Sequence, residues 1–366
     1  MDIQAIVELV FLRIILGGLF LTGFGIFFGL LFKGIDRKIA AHMQGRIGPP
    51  ITQPFRDVKK LFVKENIIPE QAIPWIFNLA PLIGLIATIS ILLYLPILPF
   101  GAQGAFSPIL PAWGGDLILI LYLLIIPSLA MVIGGFSSGS PYAVVGAQRE
   151  MATMIAYEFP LAIIIISIAW KLLQTNLGGP VFTFSLLTST PVWNLAGPFG
   201  FIGFIVLLLA LILVTPAELS KIPFDSPEAE TEIAGGLLVE YSGRNLAMFY
   251  LTDGVKTVVM ASLIVALFFP YNLTQAGLLH GLVGTLPGYA LDILFFFLKV
   301  FLIILFSVTL IRVAIARLRI DQIVYTYWIP ITLMALIGLI LIMWDTWTMA
   351  QFGWSPVLEM LRIIKP

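Results

Sequence analysis

The chain has 366 residues, 60% of them hydrophobic and only 11% charged, with a formal net charge of zero and a mean hydropathy of +1.04. Soluble domains carry about a quarter charged residues, so this composition excludes a water-soluble globular enzyme. There is no cysteine, which excludes a disulfide or an iron–sulfur cluster held by this chain.

Apolar runs near the roughly 20 residues that cross a bilayer recur at 9–32, 76–98, 117–135, 152–173, 199–215, 246–269, 290–311 and 329–344. They predict an all-α integral membrane protein with eight transmembrane helices, forming a single polytopic membrane domain over 1–366. The N-terminal MDIQAIVELV lacks the basic start of a cleavable signal, so the first helix is expected to remain as an anchor. Fourteen of the twenty Lys and Arg residues lie in the loops after helices one, three, five and seven, whereas only Lys171, at the very end of the fourth run, is counted towards the loops between. Positive loops stay cytoplasmic, which puts the rich loops inside and both termini outside. The two histidines, His42 and His280, then fall on opposite sides, and no metal site is expected.

Two cytoplasmic loops, 33–75 and 216–245, hold most of the chemistry. In the first, GPP forces a turn. QPFRDVKKLFVKE then puts Phe55, Val58, Leu61 and Phe62 at helical spacing, with Arg56, Lys59, Lys60 and Lys64 on the other side. That pattern fits either a helix lying in the membrane interface against anionic lipid or a docking surface for a cytoplasmic partner.

The second loop, KIPFDSPEAETEIAGGLLVEYSG, gathers Asp225, Glu228, Glu230, Glu232 and Glu240 in a chain with only twenty acids. Asp225 or Ser226 can cap a helix with Pro227 in its first turn. A helix running on from there would align Glu228, Glu232 and Glu240 in one stripe, although Gly235-Gly236 can break it. Like charges at that spacing repel, and burial adds to the repulsion, so such a row holds protons near neutral pH and exchanges them as a set. The alternative is a solvated acidic face.

Charges within the helices narrow the choice. Glu158, beside Tyr157, lies in the fourth apolar run with no basic residue one turn away, and is the best candidate for a proton-carrying site. Asp253 and Lys256, three residues apart in the sixth, can neutralise one another. GGFSSGSPYAVVG lacks the Gly-Lys-Ser/Thr ending of a phosphate loop. No Ser-His-Asp set or metal-ligand spacing is visible. Composition alone leaves open a free-standing transporter or a passive anchor.

QGRIGPP, QPFRDVKKLFVKE, GSPYAVVGAQREMATMIAYE, the acidic segment and ARLRIDQI occur in an order that resembles the subunit 1 family of respiratory complex I. The same family serves membrane-bound [NiFe]-hydrogenases. The resemblance covers about residues 30 to 330. It implies a membrane-embedded coupling subunit of a redox-driven ion pump, in an oxidoreductase complex of a prokaryotic plasma membrane. Partners implied are peripheral hydrogenase-like large and small subunits, antiporter-like membrane subunits, the lipid bilayer and, indirectly, ferredoxin, but no nucleic acid. The [NiFe] centre and iron–sulfur clusters would sit on partner chains and no cofactor on this one. By motif position the proton path would use Tyr157, Glu158, Asp225, Glu228, Glu230, Glu232, Glu240, Asp253 and Lys256. Arg37, Arg46, Arg56, Lys59, Lys60, Arg149 and Lys221 would face the peripheral arm. Ser220-Lys221 and Asp36-Arg37-Lys38 depart from the quinone-reducing branch, and GSPYAVVGAQRE and ARLRID resemble the hydrogenase branch. The alternative is a subunit of an NADH- or ferredoxin-quinone oxidoreductase that forms a quinone chamber.

Overall fold

A computed structural model of the chain describes residues 3–97, 108–109, 114–174, 180–274, 283, 285–352 and 356–357. Eight helices in it are long and apolar enough to cross a membrane: Ile15–Met43, Pro74–Tyr94, Asp116–Ser137, Pro141–Gln174, Pro198–Glu218, Gly243–Phe268, Leu286–Ala314 and Ile320–Met349. Among the described residues there is no strand. This is the expected all-α membrane architecture. Only a helix satisfies every backbone N–H and C=O within one lipid-exposed segment.

In chain order, α1 (Ile3–Met43) is followed by the short α2 (Gln53–Val63), then α3 (Pro74–Tyr94), α4 (Asp116–Ser137) and α5 (Pro141–Gln174). A six-residue helix, α6 (Phe184–Ser189), precedes α7 (Pro198–Glu218), and α8 (Glu230–Ile233) is a single turn within the acidic loop. The central α9 (Gly243–Phe268) is buried on nearly every side. The seventh span joins α10 (Leu286–Ile304) to α11 (Leu310–Ala314) through a π turn at Leu305–Thr309. The eighth joins α12 (Ile320–Thr326) to α13 (Thr332–Phe352) through a π turn at Tyr327–Ile331, which contains Pro330.

Two helices reach beyond their apolar runs. α1 continues to Met43, so Lys33, Asp36 and Arg37 are helical residues rather than loop residues. α5 starts at Pro141 rather than 152, because its first turns are amphipathic: Ala143, Gly146, Ala147 and Glu150 are buried along one face. That extension carries α5 up against the acidic loop.

Glycines bring helices into backbone contact where lipid supplies no hydrophobic drive. A Cβ on Gly29 of α1 would lie 2.6 Å from the carbonyl carbon of Gly254 in α9. A Cβ on Gly203 of α7 would lie 3.1 Å from the Gly338 carbonyl oxygen of α13. At the end of α5 remote from the acidic loop, Lys171 is buried and its Nζ lies 2.6 Å from Asp345 Oδ2 of α13. The same oxygen accepts the Gly197 N–H at the start of α7, at 3.0 Å. The expectation that Lys171 is a loop residue is therefore corrected: it clasps three spans together from inside the bundle.

Candidate functional site

The acidic loop follows Pro216 and the end of α7, and its backbone is dictated by residues that cannot continue a helix. Ala234, Gly235 and Gly236 all take positive φ (53°, 94° and 53°), which ends α8 after four residues. The single carboxylate stripe expected from Glu228, Glu232 and Glu240 does not form. Instead Glu228 and Glu230 line a chamber, Glu232 turns outward to Arg149 (2.5 Å), and Glu240 is half-buried beside Tyr241.

Small residues seat the loop on the bundle. A Cβ on Gly146 of α5 would lie 2.7 Å from Leu237 N and 2.9 Å from Pro227 O, so only glycine lets the loop backbone approach so closely. Tyr241 stacks flat on Phe77 of α3, with ring centres 4.1 Å apart, and its hydroxyl donates to the Phe77 carbonyl oxygen at 3.2 Å. Burial pushes the Tyr241 phenol upward, so it is a neutral donor.

Beneath the loop lie two adjoining cavities of about 330 and 360 Å³ that share Lys33, Arg37, Ser220, Lys221, Glu228 and Glu230 in their walls. Asp253 of α9 lines the first of them and binds the two lysines that both share. Lys33 Nζ from α1 lies 2.5 Å from its Oδ2, and Lys221 Nζ from the loop is 2.6 Å from both oxygens. Lys33 also sits 3.3 Å from the centre of the Tyr250 ring, a cation–π contact. Asp253 and Lys256 thus do not neutralise one another as their spacing suggests. Both line the first cavity, but each has its ion-pair partner on another element.

Lys256 points into the bundle. Its Nζ is 2.8 Å from Glu218 Oε1 at the end of α7 and donates to Ser128 Oγ of α4 at 3.0 Å. Ser128 Oγ lies 3.2 Å from the hydroxyl of the buried Tyr157. Glu158 follows Tyr157 on α5. It shares with Glu218 the wall of a largely apolar cavity of about 320 Å³ between α4 and α5. Glu150 is fully buried on the same helix, and Glu150 and Glu158 each keep one buried carboxyl oxygen without a hydrogen-bond partner. Glu218, Lys256, Ser128 and Tyr157 therefore form a chain of polar contacts from the loop to the Glu158 side of the bundle. Such a chain can hold and relay protons through a water-poor interior.

Glu228 stands at the loop end of this arrangement. Burial first, then the nearby Asp253 carboxylate, pushes its carboxyl up to about 7, against the pull of Lys221 and Lys33. It is poised to gain and lose a proton near neutral pH.

The outer ring is ionic. Arg317, in the link between α11 and α12, binds Asp225 through Nε (2.9 Å) and Nη2 (2.6 Å). Arg149 donates to the Ser226 carbonyl oxygen at 3.2 Å, and Arg312 lies 3.1 Å from Asp36. Of the residues assigned to the peripheral-arm face, Arg46, Arg56, Lys59 and Lys60 are exposed. Arg37 and Lys221 line the cavities instead, and Arg149 binds the acidic loop. The amphipathic segment is the helix expected, with Phe55 and Val58 packed towards α1 and α9, whereas Phe62 faces out. His42 lies in the last turn of α1, and His280 lies outside the described residues.

Sequence reasoning assigned no role to Lys33, Asp36, Ser128, Glu150 or Arg317. Glu150 sits two residues before the predicted start of its span, and Lys33 one residue after the predicted end of the first. The signal available was the set of acids elsewhere in the bundle, which requires buried cations and donors to partner it. Among the described residues no group of His, Cys, Asp or Glu could hold a metal ion.

Comparison with known proteins matches residues 16–343 to the NADH dehydrogenase family. The chain is 34% identical over 312 residues to the H subunit of the NADH-quinone oxidoreductase of Brevibacillus brevis, covering 84% of this chain and 85% of that one. It is equally 34% identical over 316 residues to hydrogenase-4 component C of Escherichia coli, covering 84% and 89%. A chain in the structure of the membrane-bound sulfane sulfur reductase, an archaeal respiratory membrane complex, superposes with a TM-score of 0.74 at 30% identity. That match covers 91% of this chain and 99% of the other.

Proposed function

Since this chain belongs to the NADH dehydrogenase family of membrane subunits, we propose that it is the coupling subunit of a multisubunit, redox-driven ion pump of the hydrogenase-like kind. The whole of 1–366 acts as one membrane unit. Its rich loops meet a peripheral electron-transfer module on the cytoplasmic side, and its lateral faces meet antiporter-like subunits. The observation that carries this reading is the buried chain from Glu218 to Tyr157, with Glu158 in the wall of the cavity beside it, because a passive anchor has no use for so many acids inside an apolar bundle. Burying an ionised group in a membrane helix costs roughly 2.5–3.5 kcal/mol on insertion scales.

In this reading Glu228 takes up a proton from the cytoplasmic side. Asp253, held between Lys33 and Lys221, keeps a fixed negative charge beside it. Glu218, Lys256, Ser128 and Tyr157 relay charge inward, and Glu158 passes the proton sideways from the cavity between α4 and α5. Redox chemistry belongs to metal centres on partner subunits. Arg46, Arg56, Lys59 and Lys60 supply the exposed cationic surface on which those subunits dock.

A quinone chamber is the second reading, supported by the equal identity to a quinone-reducing relative. The chamber residues fit a membrane-borne quinone poorly. Gly29 and Gly254 close α1 against α9 backbone to backbone, and the Lys33–Asp253 pair ties the same helices one turn further on. Affinity purification of the chain from its native membrane tests the proposal. It predicts co-purifying metal-containing and antiporter-like subunits and no extractable quinone. A chain that purifies alone and transports solute in liposomes would contradict it.

A further inference from the structure

The ARLRID segment has no part in the path described above, yet it holds the acidic loop through side-chain and backbone bonds alike. Arg317 uses all three guanidinium nitrogens on that loop: Nε and Nη2 on the two oxygens of Asp225, and Nη1 on Thr231 Oγ1 at 2.9 Å. Asp225 and Thr231 flank Glu228, whose N–H donates to the Asp225 carbonyl oxygen at 3.1 Å. The same link adds a backbone bond, Leu318 N–H to Pro223 O at 3.1 Å, and Phe224 packs edge-on against Tyr327, with ring centres 5.1 Å apart. The 225–231 stretch has only short turns of its own, so its shape is set from outside.

We infer that Arg317 is a positioning residue: its fork closes the 225–231 turn and so fixes where Glu228 projects into the chamber. This rests on the reading of Glu228 as the proton-accepting end of the path. The planar guanidinium binds the Asp225 carboxylate through two nitrogens and the Thr231 hydroxyl through the third; a lysine ammonium keeps the charge but not the fork.

The electrostatic consequence has a definite sign. Glu228 faces Lys33 and Arg37 from α1, Asp253 and Lys256 from α9, and Glu218 at the end of α7. Glu150 acts on it from α5, Arg312 and Arg317 lie on the α11–α12 side with Asp36 of α1, and Lys221, Asp225 and Glu230 are its loop neighbours. Among these, Asp225 favours the protonated form of Glu228, and Arg317 is the partner that offsets the Asp225 charge.

The test is infrared titration of the carboxylic C=O band of Glu228 in the purified, assembled complex, with the band identified by its loss in Glu228→Gln. Arg317→Gln is expected to move the midpoint upward from about 7, and Asp225→Asn to move it downward. Arg317→Lys should leave the midpoint near its original place but speed backbone hydrogen exchange over 223–233 several-fold. Midpoints that stay put, or move in the same direction, overturn the inference. If the Arg317→Gln complex fails to assemble, Asp225→Asn decides alone, and no downward shift counts against it. The band reports the surroundings of Glu228 whether or not ions are pumped, so failure here is separable from failure of the proposed function.

Discussion

Replacing Lys256 by Met tests the buried pair at the centre of the path. The Lys256 and Glu218 side chains are 4% and 2% exposed, with Nζ 2.8 Å from Oε1, so solvent screens neither charge. Removing one partner of a buried ion pair leaves the other charge uncompensated, at a cost of about 3–5 kcal/mol. Lys256→Met also removes the donor to Ser128 Oγ, worth roughly another 1 kcal/mol. The upper end of the loss is avoided if Glu218 takes up a proton, which a buried carboxyl does sooner than stay charged and alone. Each single variant, Lys256→Met or Glu218→Gln, should therefore lower the unfolding free energy by several kcal/mol at neutral pH. The double variant should recover most of the loss. A double-mutant cycle on the thermal stability of the purified complex measures the coupling, expected at about 2 kcal/mol or more. Strict additivity of the two single effects would refute the pairing, and with it the claim that Glu218 is held by α9. The double variant should be stable and still fail to pump.

Gly146→Ala places a methyl group against Leu237 N and Pro227 O, so it should push the acidic loop off α5 and expose 226–238 to protease without unfolding the bundle. Glu228 holds its proton below about 7 and loses it above, so redox-linked proton uptake should fall as pH rises through that value, and Glu228→Gln should flatten the profile. The stability linkage has the same sign: a carboxyl raised from 4.5 to about 7 favours the fold while protonated, and that contribution is lost as pH rises across this interval. Asp345→Asn breaks the Lys171 clasp at the far end of the bundle. It should lower the melting temperature by several degrees while leaving the ratio of protons to electrons unchanged in assembled complex, a result checked by calorimetry and pumping assays.

The spans were legible because a bilayer imposes one length and one polarity on each of them, and α2 because its apolar residues recur at helical spacing. What escaped was whatever depends on pairing across the fold. Asp253 finds Lys33 from 220 residues away, and Lys171 finds Asp345 across 174. The predicted eighth span stopped at 344, one residue short of Asp345. Had it run on, a buried lysine in the fourth span and an aspartate in the eighth would have been candidates to pair. The acidic loop defied helical extrapolation at Ala234, a residue that seldom takes positive φ and does so here between α8 and two glycines. Local propensity does not announce such a conformation, because the closure of the loop against Gly146 and Arg317 selects it.

The most direct measurement is the number of protons moved per electron by the assembled complex in proteoliposomes when Glu158 is replaced by Gln. If protons cross by way of the buried acids, electron transfer persists while the ratio collapses towards zero. An unchanged ratio at normal turnover would contradict the account.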